Sequence, residues 1–195
     1  MLTSIAAVVL GYGLGCIPSA YIAGRLSRGE DIRRLGDGNV GVDNAVRNLG
    51  TRAGALVFSG DVFKGALAIL LSRILGASEL ITLSSGLAVV VGHSWPVTLQ
   101  FRGGRGAAPT LGVMLALIPI ASLLLMAVGI LYYLLKHNSI VACAIFFAPL
   151  PLLAWWMGYP YSLVNYAIGV PVLLGMIHVY KVVLPQYLQQ RAASR

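Results

Sequence analysis

Residues 107–135 read Ala107-Ala-Pro-Thr-Leu-Gly-Val-Met-Leu-Ala-Leu-Ile-Pro-Ile-Ala-Ser-Leu-Leu-Leu-Met-Ala-Val-Gly-Ile-Leu-Tyr-Tyr-Leu-Leu135, an uncharged apolar stretch with Pro119 near its middle. At about 29 residues it is too long for one comfortable membrane crossing and short for two at about 20 each. How often it crosses decides the fold. A single crossing would put Lys136 on the opposite side from Arg102 and Arg105, and Lys181, Arg191 and Arg195 would follow it there. Basic residues beside membrane helices are retained on the cytoplasmic side, and two crossings keep every basic segment together. Pro119 removes a helix hydrogen bond and can turn the chain. Two short, tilted or half-buried helices are therefore expected.

Working outward, the apolar run Leu2 to Ala23 is long enough to span a hydrocarbon core and ends at Arg25. Six arginines fall between positions 25 and 52, which makes the following loop cytoplasmic and the N-terminus external. Further spans are expected from Ala53 to about Gly76 and from Leu80 to Leu99, joined by a tight external turn at Ala77-Ser78-Glu79. Beyond the central stretch, spans near Ser139 to Met157 and Ser162 to Val183 complete the count. The expected fold is all-α and polytopic, with about seven transmembrane helices, N-terminus out and C-terminus in, and residues 1–195 forming one transmembrane domain. Trp155, Trp156, Tyr159 and Tyr161 then gather at the external interface, where amphipathic rings are favoured.

Composition supports the membrane reading throughout. The 195 residues are 58% hydrophobic and only 10% charged, with a mean hydropathy of +0.84 and a net charge of +8. A soluble domain needs about a quarter of its residues charged to cover its surface. Soluble enzymes, nucleic-acid-binding modules and disordered tails are excluded. Cys16 and Cys143 lie within apolar runs, where a thiol is inert, and no disulfide framework is expected. Met1-Leu2-Thr3-Ser4 lacks the basic start of a cleavable signal peptide, so the first run is expected to stay in the mature chain.

Two glycine-rich segments carry the chemistry. The first runs from Arg33-Arg34-Leu35-Gly36-Asp37-Gly38-Asn39-Val40-Gly41 through Val42-Asp43-Asn44 to Arg47 and Gly50. Glycines allow backbone N–H groups to converge on an anion, and arginines add charge and forked donors. That composition suits a phosphate; the alternative is a flexible loop whose arginines only set sidedness. The second, Phe101-Arg102-Gly103-Gly104-Arg105-Gly106, leads straight into an apolar helix, which sets unpaired N–H groups beside a basic side chain. Neither matches the phosphate loop of nucleotide hydrolases.

Asp61 and Lys64 stand three apart on one helical face within the second span, either as functional intramembrane charges or as a structural ion pair. His93 and His178 fall at the inner ends of the third and last spans, where each could bind an anion, move a proton or simply pack. Neither metal-ligand spacing nor a hydrolase triad is present, so neither metal nor cofactor is expected.

The order of these segments resembles the PlsY family: Gly15-Cys-Ile-Pro-Ser-Ala-Tyr21, the Gly-Asn-Val-Gly loop, Asp61-Val-Phe-Lys-Gly65, and Gly92-His-Ser-Trp-Pro-Val97 followed by Phe101 to Gly106. The resemblance covers nearly the whole chain, with Gly92 to Gly106 its most specific part. Members are bacterial membrane enzymes that move a fatty acyl group from acyl phosphate to the 1-hydroxyl of glycerol 3-phosphate, giving lysophosphatidic acid and phosphate in phospholipid synthesis. The chain departs from the family where Asp37 and Asp43 replace hydroxyl residues, where Arg105 replaces a lysine, and where only His178 survives of the last motif, followed by Val179, Tyr180 and Lys181.

The resemblance implies that Arg105 and His178 act in catalysis. It implies that Gly38, Asn39, Gly41, Asn44, Arg47, Lys64, His93, Gly103, Gly104, Gly106 and Ser139 hold the phosphate-bearing substrates. Either His178 or a substrate phosphate takes the hydroxyl proton. The implied partners are acyl phosphate, glycerol 3-phosphate, membrane lipids and the soluble enzyme that makes acyl phosphate, with no nucleic acid. The implied location is the bacterial inner membrane, with the site facing the cytoplasm. Two alternatives stand beside this reading: a diverged paralogue, non-catalytic or with an altered substrate, supported by the departures, and a small-anion transporter. The transporter is weakened by the outer halves of the spans, which are nearly uncharged apart from Glu79 and Arg73.

Overall fold

The computed structural model describes residues 2–193; Met1, Ser194 and Arg195 lie outside them. The described residues form helices and loops without strands. In order these are α1 (Leu2–Gly15), α2 (Ser19–Arg28), a 3-10 turn (Ile32–Arg34), α3 (Val42–Leu49), α4 (Thr51–Ile74) and α5 (Glu79–Ser94). A 3-10 turn (Val97–Leu99) leads to α6 (Ala107–Leu117), α7 (Pro119–Lys136), α8 (Ser139–Phe147), α9 (Leu150–Trp156) and α10 (Tyr161–His178), which continues through a π-helical turn (Val179–Val183) into α11 (Leu184–Ala193). Six segments are long and apolar enough to cross a membrane: Leu2–Arg28, Thr51–Ile74, Glu79–Leu99, Pro119–Lys136, Ser139–Trp156 and Tyr161–Ala192. Helix α6 is a seventh, shorter apolar helix.

The first expected span is not continuous. The chain leaves helical geometry at Cys16-Ile17-Pro18, because a proline ring has no N–H and clashes with the carbonyl four residues back. The third ends early as well, at Ser94 rather than Leu99, since Trp95 precedes Pro96 and the residue before a proline disfavours the helical region. A smaller hitch at Ala148-Pro149 divides α8 from α9.

The central stretch divides at Ile118-Pro119, and its two halves run in opposite senses. The Arg73 guanidinium, at the end of α4, donates to the Ala116 carbonyl at 3.1 Å, while the Tyr133 hydroxyl returns to Asp43 in the loop region at 3.2 Å. Helix α6, at 11 residues, is roughly 16 Å long. It begins level with the middle of α4, where a Cβ on Gly65 would collide with the Pro109 carbonyl. The loop that leads into it is therefore sunk into the bundle.

Small residues make that depth reachable. A Cβ on Gly11 would stand 2.6 Å from the Ser85 carbonyl, and Gly15 and Gly92 meet α5 and α1 as closely. In lipid, where apolar burial between helices gains little, such close backbone approach supplies dispersion and packing energy. A buried cluster built on Val89, Val90, Val113, Met114, Phe146, Leu150 and Ala167 joins α5, α6, α8, α9 and α10. Trp155, Trp156 and Tyr161 are exposed around the α9–α10 turn.

Candidate active site

The first loop is shaped by its own polar side chains. Asp31 caps the Ile32–Arg34 turn through the Arg33 N–H at 3.0 Å and takes the Arg33 guanidinium at 2.7 Å. That guanidinium holds the Asp31 carboxyl below the usual carboxylate range, and Asp31 in turn raises Arg33. Arg33 also donates to the Leu99 carbonyl at 3.2 Å, tying the loop to the segment before the second glycine run. Beneath the loop, the buried Asn44 amide donates to the carbonyls of Ile32, Leu35 and Asn39 at 3.2, 3.0 and 3.0 Å. Its oxygen accepts from Asn48 at 2.7 Å, so every part of the amide is occupied in shaping the loop. Gly38 has φ of 70°, a left-handed conformation that glycine adopts without strain.

At the depth of the α1–α2 break, Asp61, Lys64 and His93 form a buried cluster. The Lys64 ammonium lies 2.7 Å from Asp61 Oδ1 and 2.9 Å from His93 Nδ1, and donates to the Gly15 and Ile17 carbonyls at 3.3 and 2.9 Å. The Ser19 hydroxyl donates to Asp61 at 2.9 Å. Lys64 thus bridges carbonyls at the α1–α2 break to the end of α5. On the other face of His93 lies Gly104, where a Cβ would collide with the imidazole and stand 2.6 Å from the Val40 carbonyl. The two glycine loops meet at this point.

Above the meeting point opens a cavity of ≈ 710 Å³. Arg47 of α3, Arg105 of the second glycine loop, Ser139 at the start of α8 and His178 at the end of α10 all line it. So do Asp37, Asp43, Lys136, His137 and Lys181. Arg105 Nη2 is 2.8 Å from Asp37 Oδ2, and Arg47 Nη2 is 2.7 Å from Asp43 Oδ2 and 4.0 Å from Asp37. Asp43 also accepts from the Ser139 hydroxyl at 3.3 Å. The carboxylates that replace hydroxyls in the first loop therefore pair with the two arginines, and Arg34 takes no part in those pairs.

Of the residues singled out from sequence, Arg47, Arg105, Ser139 and His178 converge on the cavity. Gly38, Asn39 and Gly41 flank its acidic edge, and Gly103, Gly104 and Gly106 carry Arg105. Lys64, His93 and Asn44 are buried behind the loops, not on the cavity wall. Sequence reasoning counted Lys136 as a marker of sidedness, counted Lys181 as that and as a departure in the last motif, and passed over Tyr133 and His137. Their one legible signal is position, a basic or polar group at the loop end of an apolar helix.

Residues 5–186 match the family model described as glycerol-3-phosphate acyltransferase. The chain is 46% identical over 171 residues to glycerol-3-phosphate acyltransferase 4 of Dehalococcoides mccartyi, covering 88% of this chain and 92% of that one. It is 42% identical over 164 residues to glycerol-3-phosphate acyltransferase 2 of Moorella thermoacetica, covering 82% and 83%. Among solved structures it is similar to PlsY, an integral membrane glycerol 3-phosphate acyltransferase. The match to the glycerol 3-phosphate form has a TM-score of 0.81 at 32% identity, over 96% of this chain and 93% of that one. The lysophosphatidic acid form gives 0.77 at 30% identity over the same shares.

Proposed function

The chain belongs to the glycerol-3-phosphate acyltransferase family and is an integral membrane enzyme of the PlsY type, and from that premise we propose that it transfers the acyl group of an acyl phosphate to glycerol 3-phosphate in the cavity between the two glycine loops. The observation that carries this reading is the convergence of Arg47, Arg105, Ser139 and His178, from four separate segments, on one cavity. A transporter does not fit a family of acyltransferases, and the assay below separates this reading from a non-catalytic or altered-substrate paralogue.

Acyl phosphate is a mixed anhydride with a good leaving group, so neither a covalent intermediate nor a strongly activated nucleophile is required. The 1-hydroxyl oxygen of glycerol 3-phosphate attacks the acyl carbon. A C–O ester bond forms, the anhydride C–O bond breaks, and inorganic phosphate leaves with the electron pair. The hydroxyl proton passes to the departing phosphate or to His178. Arg47, Arg105 and Ser139 hold the phosphates and neutralise charge that builds on the leaving group. Holding both substrates in one polar cavity converts a bimolecular encounter into a local one. The acyl tail enters between helices from the bilayer.

The cavity end, with its arginine-rich loops, faces the cytoplasm in this reading, because the basic segments of the described residues cluster there. The host is a bacterial inner membrane, acyl phosphate comes from a soluble enzyme on that side, and residues 1–195 act as one transmembrane domain.

The test is direct. Purified protein is supplied with acyl phosphate and glycerol 3-phosphate, and phosphate and lysophosphatidic acid are followed together. Equal release of both is expected. Arg105→Ala should lower kcat/KM by roughly ten- to a hundred-fold, the worth of one charge-assisted contact, and Arg105→Lys by much less. Phosphate release without lysophosphatidic acid, or full activity in the alanine variant, would remove this cavity from the reaction.

A further inference from the structure

Lys181 stands at the centre of the π-helical turn Val179–Val183, three residues beyond His178, and its side chain reaches away from its own helix to the second glycine loop. Its ammonium donates to the carbonyls of Ser94, Gly103 and Gly104, the last two at 3.2 and 2.8 Å. An ammonium has three donors, and here three carbonyls receive them. The Trp95 ring closes the cage, its centroid 5.0 Å from Nζ.

The same peptides are fixed from their other side. The Gly103 N–H donates to the Ser94 carbonyl at 3.3 Å, and the Gly104 N–H to the His93 carbonyl at 3.0 Å. In a trans peptide the carbonyl and the following N–H point in opposite directions. With the Gly103 carbonyl on Lys181 and the Gly104 N–H on His93, that plane is gripped at both edges. The Gly104 carbonyl on Lys181 likewise fixes the plane that begins Arg105. Glycine by itself would leave this backbone the freest in the chain. The His93 and Ser94 carbonyls are also among the last of α5, which have no partner within the helix and favour a positive charge.

We propose that Lys181 is the positioning residue of Arg105: it locks the otherwise loose Gly103-Gly104 backbone to the end of α5, so that the Arg105 guanidinium enters the cavity from a fixed base. All three donors being engaged, Lys181 works through Arg105 and not as a phosphate ligand itself. The role rests on the acyl-transfer reading for its consequence, while the clamp is a property of the loop alone. It also gives a function to a position at which this chain departs from the motif that its sequence otherwise resembles.

The test uses full-length protein in detergent with two readouts: backbone hydrogen exchange of the segment around Gly103–Gly106, and kinetics with glycerol 3-phosphate and acyl phosphate. Lys181→Met should speed exchange in that segment and lower kcat/KM by roughly ten- to a hundred-fold, the range for a displaced active-site group, mostly through KM for the phosphate substrates. Lys181→Arg, which keeps charge and donors, should restore both; Lys181→Gln, which keeps two donors without charge, should fall between and replaces the methionine variant should that one not fold. In an Arg105→Ala background, Lys181→Met should change kcat/KM by less than about two-fold, since the two act as one unit. Additive losses in the double variant, or unaltered loop exchange, would overturn the proposal. An inactive wild-type protein would instead count against the acyl-transfer reading, with the exchange measurement still judging the clamp.

Discussion

Arg105 reaches back 68 positions along the chain to set its Nη2 2.8 Å from Asp37 Oδ2, so the guanidinium proposed above to hold phosphate is paired with a carboxylate. Both side chains are about one-third exposed, at 27% and 34%, which limits such a pair to roughly 0–1 kcal/mol. On the proposed acyl-transfer reading, the carboxylate is a weak competitor that an incoming dianion would displace. Asp37→Ser is therefore expected to lower KM for glycerol 3-phosphate by up to about five-fold, with kcat little changed. A higher KM would mean that Asp37 aims Arg105 and does not compete for it.

Asp43 differs, because it gathers Arg47, Tyr133 and Ser139 from α3, α7 and α8. Asp43→Thr keeps one acceptor and Asp43→Ala none. The threonine variant should retain turnover, and the alanine variant should lose roughly ten-fold as Ser139 and Arg47 come adrift. Equal activity in the two variants would show that this carboxylate organises nothing the reaction needs.

The Asp61–Lys64–His93 cluster makes a prediction about folding. Removing one member of a buried ion pair leaves an uncompensated charge, at a cost of about 3–5 kcal/mol, whereas removing both is far milder. Lys64→Met should strongly depress the thermal midpoint in detergent, and Asp61→Asn with Lys64→Met should recover part of it. If Lys64→Met melts like the wild type but binds glycerol 3-phosphate poorly, Lys64 is a substrate ligand and not a brace.

Asp31 gives a pH dependence with a definite sign. Its carboxyl is held below the ordinary value of 3.8, chiefly by its hydrogen bond to Arg33, so its contribution to stability is present above that value. The contribution is lost as pH falls through the lowered folded-state value. The gap in thermal midpoint between wild type and Asp31→Asn should be constant from neutral pH down to about 4 and then close. A gap that persists in strong acid would rule out the Arg33 pairing as its source.

Sidedness is tested with single cysteines in a chain lacking Cys16 and Cys143. Ser27→Cys and Gln190→Cys should react from the cytoplasm with an impermeant thiol reagent, and Ser78→Cys only from outside. Opposite labelling of the first two would break the even number of crossings between them.

The apolar runs, their charged borders and the two glycine loops were legible in the chain itself, because hydrophobic length, charge bias and glycine content act locally and need no partner. The division of residues 107–136 at Pro119 was legible for the same reason, a proline being unable to continue the hydrogen-bond ladder. Tertiary structure alone decided the rest. That Lys64 serves the Pro18 break, that Asp37 takes Arg105, and that Lys181 clamps Gly103 and Gly104 depend on segments 47, 68 and 77 residues apart meeting at one depth in the bundle, whereas the Asp43–Arg47 pair is a local one between helix neighbours four apart. Depth is set by how closely glycines let α1, α4, α5 and α6 approach, a sum over many packing contacts that no single motif encodes.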